Sequence, residues 1–218
     1  MRLKNEMLVS LVMWLITVGM SVWGYVTLPD VPMVVHFAID GTPNGYMPRD
    51  MALVFGPALC LGLLILLLGL LPAIMPKNAS IDRSATAYGI VVLATLGVLT
   101  VTHALLVFRA AGLGIDETRV ILSAVGILFM IIGNYLPKTR RNWLMGVRTP
   151  WTLSDERVWD KTHRFAGPLF MLCGAVVVVA AFVVPITWRV AVLIVAVAIP
   201  AAASVVYSYL AARKLGSV

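Results

Sequence analysis

Six long apolar segments dominate the chain, and polar residues separate them. They cover residues 7–28, 51–75, 84–108, 120–136, 165–184 and 190–210. An α-helix needs about 20 mostly apolar residues to cross a lipid bilayer, and each segment is close to that length. The pattern predicts an all-α integral membrane protein with six transmembrane helices, an ordered outer loop and a short amphipathic cytoplasmic helix.

The composition indicates that lipid, rather than water, surrounds most of this chain. Hydrophobic residues make up 61% of the sequence and charged residues only 12%, whereas soluble domains carry about 25% charged residues. A soluble enzyme or DNA-binding domain is therefore disfavoured despite the net charge of +7, and we expect no direct contact with nucleic acid. Arg2 and Lys4 precede the first apolar segment, but that segment is too long for a signal peptide, so we expect a retained helix.

The basic residues predict how the helices are oriented. Cytoplasmic loops carry an excess of Lys and Arg. If the N-terminus is cytoplasmic, most of the 17 Lys and Arg residues lie inside, and those left outside are Arg49, Arg109, Arg119 and Arg189. We therefore expect both termini in the cytoplasm and contacts between inner basic residues and anionic membrane lipids.

The two cysteines give no indication of metal or redox chemistry. Cys60 and Cys173 each lie in an apolar segment, and neither has a second Cys or a His at metal-ligand spacing. We interpret both as small buried hydrophobic residues. The sequence therefore predicts no metal and no cofactor.

The outer loop, residues 29–50, has features of a compact structure. Residues 33–39 have strand-like composition. Asp40-Gly41 and Asn44-Gly45 are dipeptides typical of turns. The sequence predicts a strand followed by two turns.

His36 is the residue of this loop with the clearest chemical potential. Asp40 is near it in sequence, and an unperturbed imidazole titrates near physiological pH. His36 could hydrogen-bond a turn and order the loop, or it could contact a ligand or sense pH. The candidate contact residues of the loop are His36, Asp40, Asn44 and Tyr46.

The second polar segment, residues 133–164, is called the connector here. Thr149-Pro150 is typical of a helix start, with Thr as cap and Pro as first helical residue. Ser154-Asp155-Glu156 is a second possible start. We expect a short helix over about 152–163, with an ion pair between Asp160 and Arg164 on its surface.

Two interpretations of the connector remain open. In one, its helix lies on the inner leaflet and is anchored by Trp143, Trp151 and Trp159. In the other, a polar pocket binds a ligand or partner, with Arg148 able to clamp a carboxylate or phosphate. The residues joined in that pocket would be Asn134, Arg148, Glu156 and His163.

His103 is the notable ionisable residue within an apolar segment. Such residues indicate function by default, because burying them in lipid is costly. His103 could be a neutral imidazole bonded to a neighbouring helix, or part of a proton or substrate relay.

Proline and glycine predict local features of the helices. We expect kinks at Pro57, Pro72, Pro168 and Pro200. The glycines that could allow close helix approach are Gly62, Gly69, Gly97, Gly126 and Gly174.

Two motifs resemble a known family. The connector contains Gly133-Asn134-Tyr135-Leu136-Pro137-Lys138, Gly146-Val147-Arg148-Thr149-Pro150-Trp151, Val158-Trp159 and Lys161-Thr162-His163-Arg164. This series resembles the SdpI family of bacterial membrane proteins, whose founding member gives immunity to a secreted toxic peptide. The outer series, Leu28-Pro29, Val31-Pro32, His36-Phe37 and Pro43-Asn44-Gly45, is similar to a domain of unknown function common at the front of that family. The resemblance implies an N-terminal two-helix unit over 1–75 and a four-helix unit over 76–218.

The resemblance also implies a function. We expect a bacterial cytoplasmic-membrane protein that protects against a secreted antimicrobial peptide. In the founding system the protein also signals by holding a transcriptional repressor at the membrane, so a cytoplasmic repressor is a possible partner. No catalytic residues are carried over, and we expect no enzyme.

Two other function classes remain open. A transporter or flippase for a peptide, lipid or small amphiphile would use His103 and the kinked helices as its path. A membrane enzyme would use the polar cluster of the connector, although no known catalytic signature is present there.

Overall fold

The computed structural model describes residues 4–74 and 84–217. Its helices are α1 (Lys4–Thr27), α2 (Arg49–Leu64), α3 (Leu71–Ile74), α4 (Ala85–Ala110), α5 (Glu117–Tyr135), α6 (Pro150–Ser154), α7 (Glu156–Val183) and α8 (Ile186–Lys214). A π-helical segment, Ile65–Leu70, joins α2 to α3, and a 3-10 turn, Leu136–Lys138, extends α5. Within the described ranges, six helical spans are long and apolar enough to cross a membrane, which confirms the predicted fold class.

The limits of two predicted helices differ from those observed. The fifth span was predicted to begin at 165, but α7 begins at Glu156 because Asp155 caps it and the polar residues after Asp155 continue the helix. The short helix predicted over 152–163 is therefore divided between α6 and the first two turns of α7. The predicted end of the second segment at 75 and the boundary between the two predicted units lie outside the described residues.

The helices pack as two groups that meet between α4 and α5. In one group α7 lies against α5 and α8, and in the other α4 lies against α1 and α2. Apolar side chains on the outer faces of both groups are exposed, for example Val183 at 72% and Val26 at 76%. Exposed apolar faces of this kind are expected where a helix meets lipid rather than water.

The outer loop forms a β-hairpin, whose strands β1 (Met33–Phe37) and β2 (Pro43–Met47) pair antiparallel. The turn at Asp40-Gly41 is confirmed, with Gly41 at φ 85°. The second predicted turn, Asn44-Gly45, is wrong because these residues lie within β2. Gly45 pairs with His36 and lets the two strands approach closely, because a Cβ on Gly45 would lie only 2.7 Å from the His36 Cβ.

The hairpin lies at one end of the bundle, called the hairpin end. Its tip reaches α8, since a Cβ on Gly41 would touch the side chain of Ile186. The Arg109 guanidinium of α4 lies 4.8 Å from the centre of the Phe37 ring. At this end Arg189 of α8 also reaches Asp116, which caps α5, with 3.3 Å between Nη1 and Oδ2.

The connector lies at the opposite end, called the connector end. The backbone N–H of Arg140 donates to Ser84 Oγ, beside the start of α4, at 2.8 Å. Ser217 Oγ donates to Asp155 Oδ2 at 2.7 Å, which ties the end of α8 to the start of α7. The polar segments that the structure describes thus gather at two opposite ends.

Candidate functional site

His163 is the centre of the folded connector. It is only 1% exposed. Nε2 accepts a hydrogen bond from the backbone N–H of Val147 at 3.0 Å, so Nδ1 carries the proton and donates to the Trp159 carbonyl at 2.8 Å. Both ring nitrogens are therefore committed to the backbone, and the imidazole is neutral.

The Trp159 indole packs directly on this imidazole. The ring centres are 4.0 Å apart and the planes nearly parallel, at 19°. The indole Nε1 donates to the Thr139 carbonyl at 3.2 Å, and the side chain is fully buried. Its proposed role as an interfacial anchor is therefore wrong, because the folded connector encloses it.

The two other connector tryptophans have different surroundings. Trp143 is 57% exposed. Trp151 is half-buried against Tyr209 of α8, with ring centres 5.2 Å apart. Among the three, Trp143 alone presents most of its indole at the surface.

A cluster of hydroxyls fixes the start of α6. Thr149 caps the helix as predicted, because its side chain accepts a hydrogen bond from the backbone N–H of Thr152. In the opposite direction, the backbone N–H of Thr149 donates to Thr152 Oγ1 at 2.9 Å. Thr149 Oγ1 also lies 3.1 Å from Ser208 Oγ of α8. The helix start at Thr149-Pro150 can be predicted from the sequence alone. The contact between Thr149 and Ser208 cannot, because it depends on how α8 packs against α6.

Asn142 shapes the preceding turn. Its Oδ1 accepts from the backbone N–H groups of Leu144 and Met145 at 2.8 Å and 2.9 Å, while Nδ2 donates to the Arg140 carbonyl. This side chain is buried and was not among the predicted site residues. Asn is common in turns because its amide bonds the backbone locally.

The pocket predicted from Asn134, Arg148, Glu156 and His163 does not form. His163 is buried and both of its ring nitrogens already form hydrogen bonds, whereas the side chains of Asn134, Arg148 and Glu156 are exposed. Asn134 accepts from Lys138 Nζ at 3.3 Å, and Arg148 Nη1 donates to the Trp143 carbonyl at 2.6 Å. Asn134 and Arg148 thus bond residues near them in sequence, because the connector folds around His163 instead of opening a cleft beside it.

Ion pairs fasten the outside of the connector. Asp160 forms an ion pair with Arg140 at 3.4 Å, and not with Arg164 as predicted. The pair joins α7 to the loop before α6. The Arg157 guanidinium, and after it the Ser217 hydroxyl, hold the pKa of Asp155 well below its ordinary range. The remaining exposed groups include Arg148, Glu156, Lys161 and Arg164.

At the hairpin end, His36 bonds Asn44 rather than Asp40. His36 Nδ1 and Asn44 Oδ1 lie 2.6 Å apart across the two strands. Asp40 accepts from the Thr42 hydroxyl and backbone N–H, and these bonds hold the pKa of Asp40 below its ordinary value. Tyr46 is 62% exposed. An open groove beside these residues is closed on its other side by Thr187 and Val190 of α8.

His103 joins three helices in the interior. It is 4% exposed, and its Nε2 lies 2.8 Å from Ser21 Oγ of α1. Ser21 also bonds the Leu53 carbonyl of α2 at 2.7 Å. Ser21 was not predicted as a site residue, because a serine in an apolar segment gives no indication of its partner on another helix.

No metal centre is indicated by the part of the chain described here. Within residues 4–74 and 84–217, no three His, Cys, Asp or Glu side chains lie close enough to share an ion.

Comparison with known proteins confirms the predicted resemblance. The model for the SdpI/YfhL protein family matches residues 138–208, which comprise most of the connector, α7 and most of α8. The model for a domain of unknown function, DUF1648, matches residues 12–61, which include the hairpin. No solved structure matches the chain significantly.

One curated relative is an immunity protein. The chain is 39% identical over 71 residues to "Immunity protein SdpI" of Bacillus subtilis (strain 168). The alignment covers 33% of this chain and 34% of the relative, so the chain spans about a third of the length of the curated relative it matches.

Proposed function

We propose that this chain is an immunity protein of the bacterial cytoplasmic membrane that protects its host against a secreted antimicrobial peptide. The observation that carries the proposal is the match of residues 138–208 to the SdpI/YfhL family and to an immunity protein at 39% identity. The matched segment folds as one unit around His163, and its buried hydrogen bonds are largely satisfied. The proposal assigns no catalytic step to the chain.

In this proposal the hairpin end faces outward and meets the peptide. The hairpin offers exposed apolar surface at Tyr46, 62% exposed, and Ile39, 63% exposed. Beside it lies the groove toward Thr187 and Val190. Aromatic and apolar groups of this kind suit a hydrophobic peptide arriving at the membrane surface, because contact removes them from water.

The connector end faces the cytoplasm in this proposal. Its exposed Trp143 stands beside Arg148, whose guanidinium bonds the Trp143 carbonyl at 2.6 Å. Tryptophan and arginine are enriched at the centres of protein interfaces. This surface is therefore our candidate for contact with a cytoplasmic repressor, and binding of the peptide would reach it only by favouring one packing of the helices over another.

Survival of a toxin-sensitive bacterial strain tests the immunity function. The strain expresses the chain and is exposed to the secreted peptides of the organism that encodes it. We expect more survivors than with an empty vector. Equal survival, with the chain shown to be present in the membrane, would contradict the proposal.

A pair of variants tests the role of the hairpin. Tyr46→Ala removes an exposed ring from the hairpin, and Leu113→Ala removes another exposed apolar side chain (52% exposed) from the loop after α4. We expect Tyr46→Ala to reduce survival and Leu113→Ala to leave it unchanged. If both variants protect as well as the unchanged chain, the hairpin is not the peptide-binding surface.

A further inference from the structure

A partly open cavity of about 250 Å³ lies between α2, α4 and the hairpin. Phe55 and Leu59 of α2 form one wall and Leu99 of α4 forms another, while Val35 and Met47 of the hairpin complete the lining. A cavity of about 150 Å³ lined by apolar side chains is large enough to bind benzene in another protein. This cavity therefore has room for one ring or a short alkyl chain, but not for a peptide.

A proline in α2 determines the hydrogen bonding beside the cavity. Pro57 has no backbone N–H, so the Leu53 carbonyl four residues earlier lacks its usual helical donor. The Ser21 hydroxyl of α1 lies 2.7 Å from this carbonyl. Ser21 Oγ also lies 3.0 Å from the Thr17 carbonyl of its own helix, but that carbonyl keeps its usual helical donor. The Leu53 carbonyl is therefore the acceptor that needs the single hydroxyl proton of Ser21.

This arrangement fixes the tautomer of His103. With its proton on the Leu53 carbonyl, Ser21 Oγ can only accept from His103 Nε2, at 2.8 Å. His103 Nε2 therefore carries the proton, and Nδ1 of the neutral ring is an acceptor.

His103 and Gly56 both line the cavity, and Nδ1 has no hydrogen-bond partner among the described residues. It lies against Gly56, where a Cβ would touch Nδ1, so the glycine lets the ring approach α2. Thr102, the other polar side chain of the lining, uses its hydroxyl proton on the Val98 carbonyl of its own helix. A buried acceptor without a donor is costly, so a donor brought by a ligand would be favoured here.

We propose that this cavity binds a small amphiphile, a molecule with an apolar body about the size of one ring and one hydrogen-bond donor that bonds His103 Nδ1. The site goes beyond the immunity function and does not depend on it. Phe55 and Leu59 of the lining are exposed, so the cavity is open beside α2 and the amphiphile can enter there.

Phenol and toluene form a matched pair of probes, since they have nearly the same size and only phenol carries a donor. The purified full chain in lipid nanodiscs, with ¹⁵N-labelled histidine, is titrated with each. We expect phenol to shift the His103 Nδ1 resonance and toluene to leave it in place. Equal shifts with both probes, or none with phenol, would overturn the proposal.

Variants locate the site. His103→Gln can keep the bond to Ser21 through its amide but lacks an acceptor at Nδ1, so we expect phenol affinity to fall about fivefold, the effect of one neutral hydrogen bond, and toluene affinity to stay unchanged. Leu59→Trp should fill the cavity and weaken the binding of both probes. Leu66→Trp, at a residue outside the lining, should leave the binding of both unchanged. Thermal unfolding of each variant verifies that it is folded. Unchanged phenol binding in folded Leu59→Trp would place the phenol elsewhere and overturn the proposal.

Discussion

At the scale of single residues, the imidazole of His163 organises the connector. The sequence suggested that His163 lines an open pocket, but its side chain is buried. The bond from Val147, sixteen residues away, depends on how the loop before α6 turns back over α7, which no local pattern reveals. In contrast, the cap at Thr149 and a helix start at Ser154-Asp155-Glu156 were predicted correctly, because capping is a local property of the chain.

Gly146 makes the turn over His163 possible, and its replacement is a direct test. Gly146 has φ 111°, and a Cβ there would touch His163 Nε2, the atom that bonds Val147. Gly112 also has a positive φ, 82°, and a Cβ there would meet no neighbouring atom of the described residues within 4 Å, so it is a control for backbone strain. We expect Gly112→Ala to cost about 1–2 kcal/mol from its left-handed backbone, and Gly146→Ala to cost about 1–3 kcal/mol more because the Val147 N–H loses its acceptor. Thermal unfolding followed by Trp fluorescence measures the difference, and equal losses would contradict this role of His163.

Asp116 and Arg189 predict a pH dependence at the hairpin end. Burial acts to raise the pKa of Asp116, but the Arg119 backbone N–H and the Arg189 guanidinium outweigh it, so the pKa lies below its ordinary value. The pair therefore stabilises the fold above the ordinary carboxyl pKa of about 4, and this stability is lost as the pH falls through the lowered pKa.

The variant Asp116→Asn isolates the charge, because asparagine is as good a helix cap as aspartate. We expect it to lower the free energy of unfolding by about 1 kcal/mol at pH 7, since Asp116 is partly exposed and solvent weakens the pair. The difference from the unchanged protein should shrink as the pH falls below about 4, so it should be smaller at pH 2 than at pH 7. Asp30→Asn, at a side chain 80% exposed, is the control. A deficit that is the same at both pH values would show that the charge is not responsible.

At the scale of whole elements, α5 and α7 approach each other through reciprocal pairs of glycines. A Cβ on Gly126 would lie 2.7 Å from the Gly174 carbonyl, and one on Gly174 would lie 2.5 Å from the Gly126 carbonyl. Gly133 and Gly167 repeat this arrangement seven residues along each helix. The two antiparallel helices therefore have their backbones in contact at two levels.

The glycines show how far the sequence could predict the packing. Gly126 and Gly174 were correctly predicted to allow close approach, whereas a Cβ on Gly62 or Gly69 would meet no atom of another described element within 4 Å. Glycine is common in membrane helices, so its presence alone does not say which face meets a neighbour. Helix lengths follow from hydropathy and were predicted well, whereas helix partners depend on the surfaces of both helices.

Replacing one of these glycines tests the α5–α7 contact. We expect Gly126→Ala to lower the thermal unfolding temperature, because its methyl group would push against the backbone of α7. Gly69→Ala, in open space, should leave stability unchanged or raise it slightly, since alanine favours helix over glycine by about 1 kcal/mol. The same ranking should hold in detergent and in lipid. A Gly126→Ala protein as stable as Gly69→Ala would contradict the backbone contact.

At the scale of the whole molecule, the polar groups gather at two opposite ends. The hairpin end carries the paired His36 and Asn44, and the connector end carries the unit around His163. The two matched families divide along the chain in the same way, with residues 12–61 including the hairpin and residues 138–208 including most of the connector. Our proposal therefore requires the two ends to face opposite compartments in a fixed order.

The orientation of these ends is the central claim of this account, and thiol labelling of intact cells tests it most directly. Cys60→Ala and Cys173→Ala first remove the two native thiols, which are buried. Asn44→Cys or Lys161→Cys then places one exposed thiol at the hairpin end or the connector end. With a maleimide that cannot cross the membrane, we expect Asn44→Cys to be labelled in intact cells and Lys161→Cys only after the cells are permeabilised. Labelling of Lys161→Cys in intact cells, with Asn44→Cys protected, would place the connector outside and contradict the proposed encounter between the hairpin and a secreted peptide.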